Sequence, residues 1–211
     1  MTSPLIQLFS NPVNAIAIVV AFLLAVALHE LSHALAATAQ GDPTPRAAGR
    51  LSLNPLRHLD PFGTITLILV GFGWGSTPVD PRRFRSGRLG EVLVSLAGPA
   101  TNLVLALATA LTFRFAVPND SFAFTLLVRF FQMNVILLVF NLLPIPPLDG
   151  SKVLIALLPP GQQGIARFLE QYGVYLLLGL VLLPLAYPQL DWLGPLLQRA
   201  EVGLLRLVGV A

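Results

Sequence analysis

The sequence has no cysteine, a single lysine and few charges of any kind. Charged residues make up 11% of its 211 residues. Without cysteine there is no disulfide, and any bound metal must be held by histidine and carboxylate groups. The net charge of +3 comes almost wholly from arginine, so we interpret it as a guide to membrane topology and expect no nucleic-acid partner. Residues 1–12 lack a basic segment and a small-residue cleavage site, so we expect no removable signal peptide.

Long apolar runs are what the sequence has in abundance. Hydrophobic residues make up 55% of the chain, and the mean hydropathy is +0.77. Membrane-spanning helices are predicted at 13–39, 91–117, 122–143 and 172–187, with a more amphipathic helix at 192–210. The sequence therefore predicts an all-α polytopic membrane protein, a bundle of about four to five transmembrane helices. We expect a single domain over 1–211, with a core at about 13–158 and C-terminal helices at about 168–210.

The connection between the first two spans is polar and irregular. Residues 48–53 alternate weakly, and residues 64–70 are apolar and β-branched but too short to span a membrane as a helix. A glycine-rich loop, 71–75, follows them. We expect a small membrane-associated β-element at about 48–80, with the loop covered by helices or lining a wet cavity. The alternative is an interfacial re-entrant loop with no role in binding substrate.

The first predicted span contains the pattern His29-Glu30-x-x-His33 near its C-terminal end. Histidines four residues apart share one face of a helix and can bind one metal ion, while Glu30 reaches a water on that metal. A lone buried histidine more often only bonds a backbone carbonyl. The pair with a glutamate between them, in a span where ionisable groups are costly, instead indicates a catalytic zinc site.

The arginines predict how the spans are oriented. Seven of them lie in the 40–90 connection, whereas the 118–121 turn carries one acidic residue and no basic one. The positive-inside rule then places 40–90 in the cytoplasm and 118–121 outside. The third span returns the chain to the cytoplasmic face, so Asp149 is expected on the same side of the membrane as His29 and His33.

A catalytic zinc has three protein ligands, and two other side chains are candidates for the third. Asp149 follows an apolar span and a run of prolines. It is either that ligand or the N-cap of a following helix, and the shared membrane face favours the ligand. His58 is either an additional ligand or a residue that bonds within its own loop.

Two motifs in this order resemble the intramembrane site-2 protease family of zinc metalloproteases. They are His29–His33 (HELSH) and 141–150 (NLLPIPPLDG), and residues 49–61 and 97–102 are also similar to that family. The resemblance implies one Zn²⁺ per chain, held by His29, His33 and Asp149, with Glu30 as the catalytic base. It also implies that Asn141 and Asn102 hydrogen-bond the substrate or the developing oxyanion.

The resemblance further implies what the protein acts on and where. Substrates would be transmembrane proteins whose helix unwinds in the bilayer and pairs with strand 64–70 by β-augmentation. The protein is expected in the plasma membrane, with its site opening toward the cytoplasm. No stretch of the sequence is long enough for the PDZ or CBS domain that many members carry.

Two readings from other classes stay open. One is a non-catalytic membrane protein that senses, stores or transports a metal, which would need polar groups along a path across the membrane. The other is a protease-like scaffold that binds transmembrane helices without cutting them. The presence of Glu30 argues against the scaffold, because a protein that only binds helices does not need a base beside the metal.

Overall fold

The computed structural model describes residues 10–60, 63, 65, 75–115 and 121–210. Among these residues every helix or strand long enough to be an element is a helix. The α-helices are α1 Pro12–Ala39, α2 Thr44–Ala47, α3 Gly87–Phe113, α4 Phe122–Asn141, α5 Asp149–Leu157, α6 Gln163–Ala186 and α7 Leu193–Leu207. Short 3₁₀ turns occupy Pro55–Arg57, Pro81–Arg83, Pro160–Gln162 and Pro188–Leu190.

Four of the described helices are long and apolar enough to cross a membrane: α1, α3, α4 and most of α6. The predicted all-α bundle of about four to five transmembrane helices is thereby confirmed for its helical class and for four candidate spans. Two helices begin earlier than predicted, α3 at Gly87 and α6 at Gln163. Hydropathy detects only the apolar stretch of a helix, and the added first turns of α3 and α6 contain glycine and charged or amide residues that interrupt that stretch.

The core of the bundle is formed by α1, α3 and α4. Ala21 and Ala25 on α1 and Ala106 and Ala110 on α3 are completely buried. Small side chains at these positions let neighbouring helix backbones approach closely, which is the main source of packing energy between helices in a membrane. Larger apolar residues fill the remaining space, among them Phe22, Val26, Phe131, Val135 and Leu137.

Helix α6 stands apart from this core. Only 6% of the residues in its most apolar stretch are buried, against 56% in α1. It approaches the bundle at Gly173, where an added Cβ would come within 2.7 Å of the Pro146 ring. A space therefore remains between α6 and the core helices.

The last helix, α7, packs on the bundle through the buried Leu197 and Leu204. Its C-terminal end is held by Arg114, whose Nη1 donates to the carbonyl of Val208 over 3.2 Å. Fifteen residues of α-helix extend about 22 Å, less than the roughly 30 Å of the bilayer core. α7 is therefore too short to span the bilayer on its own.

The predicted β-element is only partly within the described residues. Residues 48–53, where we predicted a weak strand, form a turn and bends instead. Gly49 has a φ of +69°, and Pro55 begins a 3₁₀ turn, so the backbone is too curved to extend. The one described β-contact is an isolated antiparallel bridge between Leu59 and Gly75. Segment 64–70 lies outside the described residues except for Ile65, which is helical, and the strand there is unconfirmed.

A buried carboxylate ties this connection together. Asp42 is completely buried and accepts hydrogen bonds from the main-chain N–H and hydroxyl of Thr44 and from the N–H of Asp80. Burial raises the pKa of Asp42, but these bonds outweigh it and lower the pKa below its usual value. The stabilisation of the fold by ionised Asp42 is therefore present at neutral pH and is lost as the pH falls through that lowered pKa. Through its bond to Asp80, Asp42 holds the end of segment 75–80 beside the C-terminal end of α1.

Candidate metal centre

Three buried side chains from two helices converge on one point. His29 Nε2 and His33 Nε2 lie 3.0 Å apart, and they are 3.1 Å and 3.0 Å from Asp149 Oδ2. Each of the three residues is more than nine-tenths buried. They form a group able to hold a metal ion, and it joins the two motifs, since His33 and Asp149 are 116 residues apart in the sequence.

The two histidines are brought together by α1 alone, because a four-residue spacing places them on successive turns. The space for their rings is provided by Gly98 on α3, since a Cβ at this position would collide with both imidazoles. A glycine in the middle of an apolar helix thus allows α3 to pass directly over the site.

Asp149 is the first residue of α5, and its carboxylate does not cap that helix. The N-cap position is occupied by Leu148, with no side-chain capping bond. The interpretation of Asp149 as a helix N-cap is therefore wrong. The chain reaches this point by a close approach at Gly150, where a Cβ would collide with the carbonyls of Leu142 and Leu143.

The hydrogen bonds behind the histidines decide which ring atoms face the site. His33 Nδ1 lies 2.7 Å from the carbonyl oxygen of Val94, which only accepts, and His29 Nδ1 lies 2.5 Å from Asn102 Oδ1. Both Nδ1 atoms must carry a proton, so each neutral ring directs the lone pair of Nε2 toward Asp149.

Three electron-rich atoms about 3 Å apart repel one another unless a cation or a shared proton lies between them. Their separations of 3.0–3.1 Å are close to the roughly 3.3 Å expected between ligands of a tetrahedral zinc site with bonds of about 2.0 Å. A set of two imidazoles and one carboxylate is also one of the sets that hold catalytic zinc. The residues present therefore fit Zn²⁺.

Glu30 lies beside this group without belonging to it. Its side chain is buried but is absent from the convergent set, as expected for a residue 100° around the helix from His29. The backbone of Gly75 packs against it, so closely that a Cβ there would come within 2.8 Å of Glu30 Cγ. Thr77 also donates from its hydroxyl to the Glu30 carbonyl.

Lys152, the one lysine in the sequence, is a site residue that sequence reasoning missed. Its Nζ donates to Asp149 Oδ1 over 2.9 Å, one helical turn from the aspartate. This bond occupies the carboxylate oxygen that points away from the histidines and leaves Oδ2 to face them. The i,i+3 spacing from Asp149 was the available signal.

A cavity of about 660 Å³ opens beside the convergent group. Its wall includes Glu30 and Asn141 and is otherwise mostly apolar, with one side contributed by α6 residues such as Val174 and Leu178. Asn141, predicted to bind substrate, lines this cavity, and its Nδ2 donates to the Leu137 carbonyl. The volume is within the range of ligand-binding cavities.

The other two candidates from the sequence lie elsewhere. Asn102 is completely buried, is not among the described residues that line the cavity, and has both ends of its amide occupied by protein groups. A substrate-binding role for Asn102 therefore finds no support in its contacts. His58 bonds locally, through Nε2 to the Ser52 carbonyl at 2.6 Å, and is not part of the convergent group.

The fold and the site together define an integral membrane protein with a buried His-His-Asp group able to hold a metal ion. The family model described as Peptidase family M50 matches residues 117–183. The chain is 41% identical over 180 residues to "Putative zinc metalloprotease YwhC" of Bacillus subtilis, covering 80% of this chain and 81% of that protein. It is 34% identical over 177 residues to "Putative zinc metalloprotease Rip2" of Mycolicibacterium smegmatis, covering 80% and 68%. No solved structure matches it. The chain belongs to peptidase family M50, and the resemblance drawn from its two motifs is confirmed.

Proposed function

We propose that this protein is an intramembrane zinc metalloprotease that hydrolyses peptide bonds within or near transmembrane segments of other membrane proteins. The observation that carries the proposal is the convergence of His29, His33 and Asp149 beside Glu30, at the wall of a cavity between apolar helices. Membership of a peptidase family and the names of the relatives support the same chemistry.

In this mechanism His29, His33 and Asp149 hold the zinc. When bound, zinc supplies Lewis-acid activation of a water and of the scissile carbonyl. Glu30 takes the proton from the water and later gives it to the leaving amine. Lys152 holds Asp149 Oδ1, so that Oδ2 keeps its position.

The substrate reaches the site through the cavity between α6 and the core helices. Its mostly apolar walls suit the side chains of a transmembrane segment, and the weak attachment of α6 to the core leaves room for one to enter from the lipid. A helix bonds all its backbone groups internally, so the substrate must unwind and find new partners. We propose Asn141, which lines the cavity, as one of them. The receiving strand at 64–70 lies outside the described residues and stays a prediction.

The purified protein should cut a model single-span substrate in detergent or liposomes. We expect a chelator to stop cleavage and added Zn²⁺ to restore it, with the products mapped by mass spectrometry. A metal transporter or sensor would bind Zn²⁺ without releasing fragments, and a scaffold would retain the intact substrate. Absence of fragments from every span tested in the zinc-loaded protein would reject the protease.

We also propose that the site opens to the cytoplasm, with the protein in the plasma membrane. The chain has no cysteine of its own, so a thiol reagent can label only the single cysteine that is introduced. Ser86→Cys, in the arginine-rich connection, should react with an impermeant thiol reagent only when the cytoplasmic side is accessible. Ser121→Cys, at the start of α4, should react in intact cells. Both residues are exposed in the folded chain, and the opposite labelling would invert the orientation.

A further inference from the structure

A buried amide on α4, Asn134, lies in the middle of an apolar span and takes no part in the mechanism above. It is completely buried, as is Asn102 on α3. An amide in an apolar interior is unfavourable unless it is hydrogen-bonded. Its partners therefore indicate why it is there.

The two asparagines form a chain of hydrogen bonds that crosses three helices. Asn134 Nδ2 donates to the Phe130 carbonyl over 2.8 Å. Asn102 Nδ2 donates to Asn134 Oδ1 over 2.9 Å, and His29 Nδ1 lies 2.5 Å from Asn102 Oδ1. The chain thus runs from the main chain of α4 to the imidazole on α1.

The direction of every bond in this chain is fixed by its first member. The Phe130 carbonyl only accepts, so the amide of Asn134 must face it with nitrogen and face Asn102 with oxygen. Asn102 must then donate to that oxygen, which leaves its own oxygen facing His29. The proton of the imidazole is consequently held on Nδ1, and Nε2 is free to bind a metal.

His33 needs no such arrangement, because its Nδ1 donates directly to the main-chain carbonyl of Val94. His29 is the one of the two histidines whose tautomer depends on side chains. Groups that orient a metal-binding histidine typically change metal affinity by about 10–100-fold when they are removed.

We infer that Asn134 is a positioning residue of the metal centre, which acts through Asn102 to hold His29 in the tautomer that binds Zn²⁺. The inference rests on the proposed metal centre. Asn134 itself does not line the described cavity and is not a member of the convergent group. Replacing it should nevertheless weaken Zn²⁺ binding.

The test is the zinc dissociation constant, measured in detergent by competition with a chromophoric chelator. Asn134→Leu is expected to weaken binding by about 10-fold, within the range for such orienting groups. Asn134→Ala removes the same acceptor without adding bulk and is expected to do the same, so one folded variant is enough. The matched control is Thr109→Val, which deletes a buried hydroxyl on α3 that donates to the Leu105 carbonyl of its own helix. It should leave the zinc affinity unchanged.

Three further variants separate this inference from a merely structural role. Asn102→Leu should also weaken zinc binding, and the double variant with Asn134→Leu should bind zinc no more weakly than Asn102→Leu alone, because Asn134 acts only through Asn102. Additive losses, or wild-type affinity in Asn134→Leu, would overturn the inference. His29→Ala tests the metal centre itself. If this variant keeps its zinc, the proposed centre is wrong. If His29→Ala loses zinc but Asn134→Leu binds zinc as the wild type does, only the positioning role is rejected.

Discussion

Glu30→Gln is expected to abolish peptide cleavage while leaving about one zinc per chain. The substitution keeps the size of the side chain and its packing against Gly75, but an amide cannot accept a proton from water. General-base catalysis contributes roughly 10²–10⁴-fold to a rate, so we expect activity to fall by at least about 10²-fold. The model substrate is used to measure cleavage, and plasma mass spectrometry measures the zinc content of the same sample.

The two halves of this result separate two roles for Glu30. It lies outside the convergent His-His-Asp group, so zinc should be retained. Loss of zinc in Glu30→Gln would make the glutamate a ligand or a structural residue, and retained cleavage would remove it from the mechanism. Glu201→Gln, a carboxylate on α7 that does not line the cavity, serves as the matched control and should cleave at the wild-type rate.

Asp149→Ala is expected to cause the largest loss of metal. It removes one of the three converging atoms and leaves Lys152 as an unpaired cation beside the two histidines. The zinc affinity should fall by more than about 100-fold, beyond the effect of losing an outer orienting group, and cleavage should fall with it. Chelator competition and the cleavage assay measure the two effects.

Asp149→Glu should do less harm, because a longer carboxylate can still reach the histidines from the first turn of α5. The matched control is Asp191→Ala, which removes an exposed carboxylate that lies just before α7 and accepts from the N–H of Gly194 in its first turn. It should bind zinc normally. Full zinc content and activity in Asp149→Ala would show that the third ligand is elsewhere in the chain.

The spans and the histidine pair could be predicted because both depend on local spacing. A run of about twenty apolar residues spans a bilayer whatever its neighbours are, and residues four apart on a helix meet whatever the helix packs against. Helix ends were predicted less well, since the first turns of α3 and α6 mix glycine with polar and apolar residues and give no clear hydropathy signal. The strand at 48–53 was wrong because an alternating pattern was outweighed by the turn at Gly49.

The sequence by itself determined the membrane class, the His29–Glu30–His33 pattern and Asp149 as a candidate. Only the tertiary structure decided that Asp149 turns from its helix N-terminus toward the histidines and that Asn102 faces His29. It also brought Asn134 behind Asn102. These contacts join residues 32 to 120 positions apart, and no local periodicity encodes them. They arise because small and apolar residues pack α1, α3 and α4 together, and buried polar groups must then find their partners across helices.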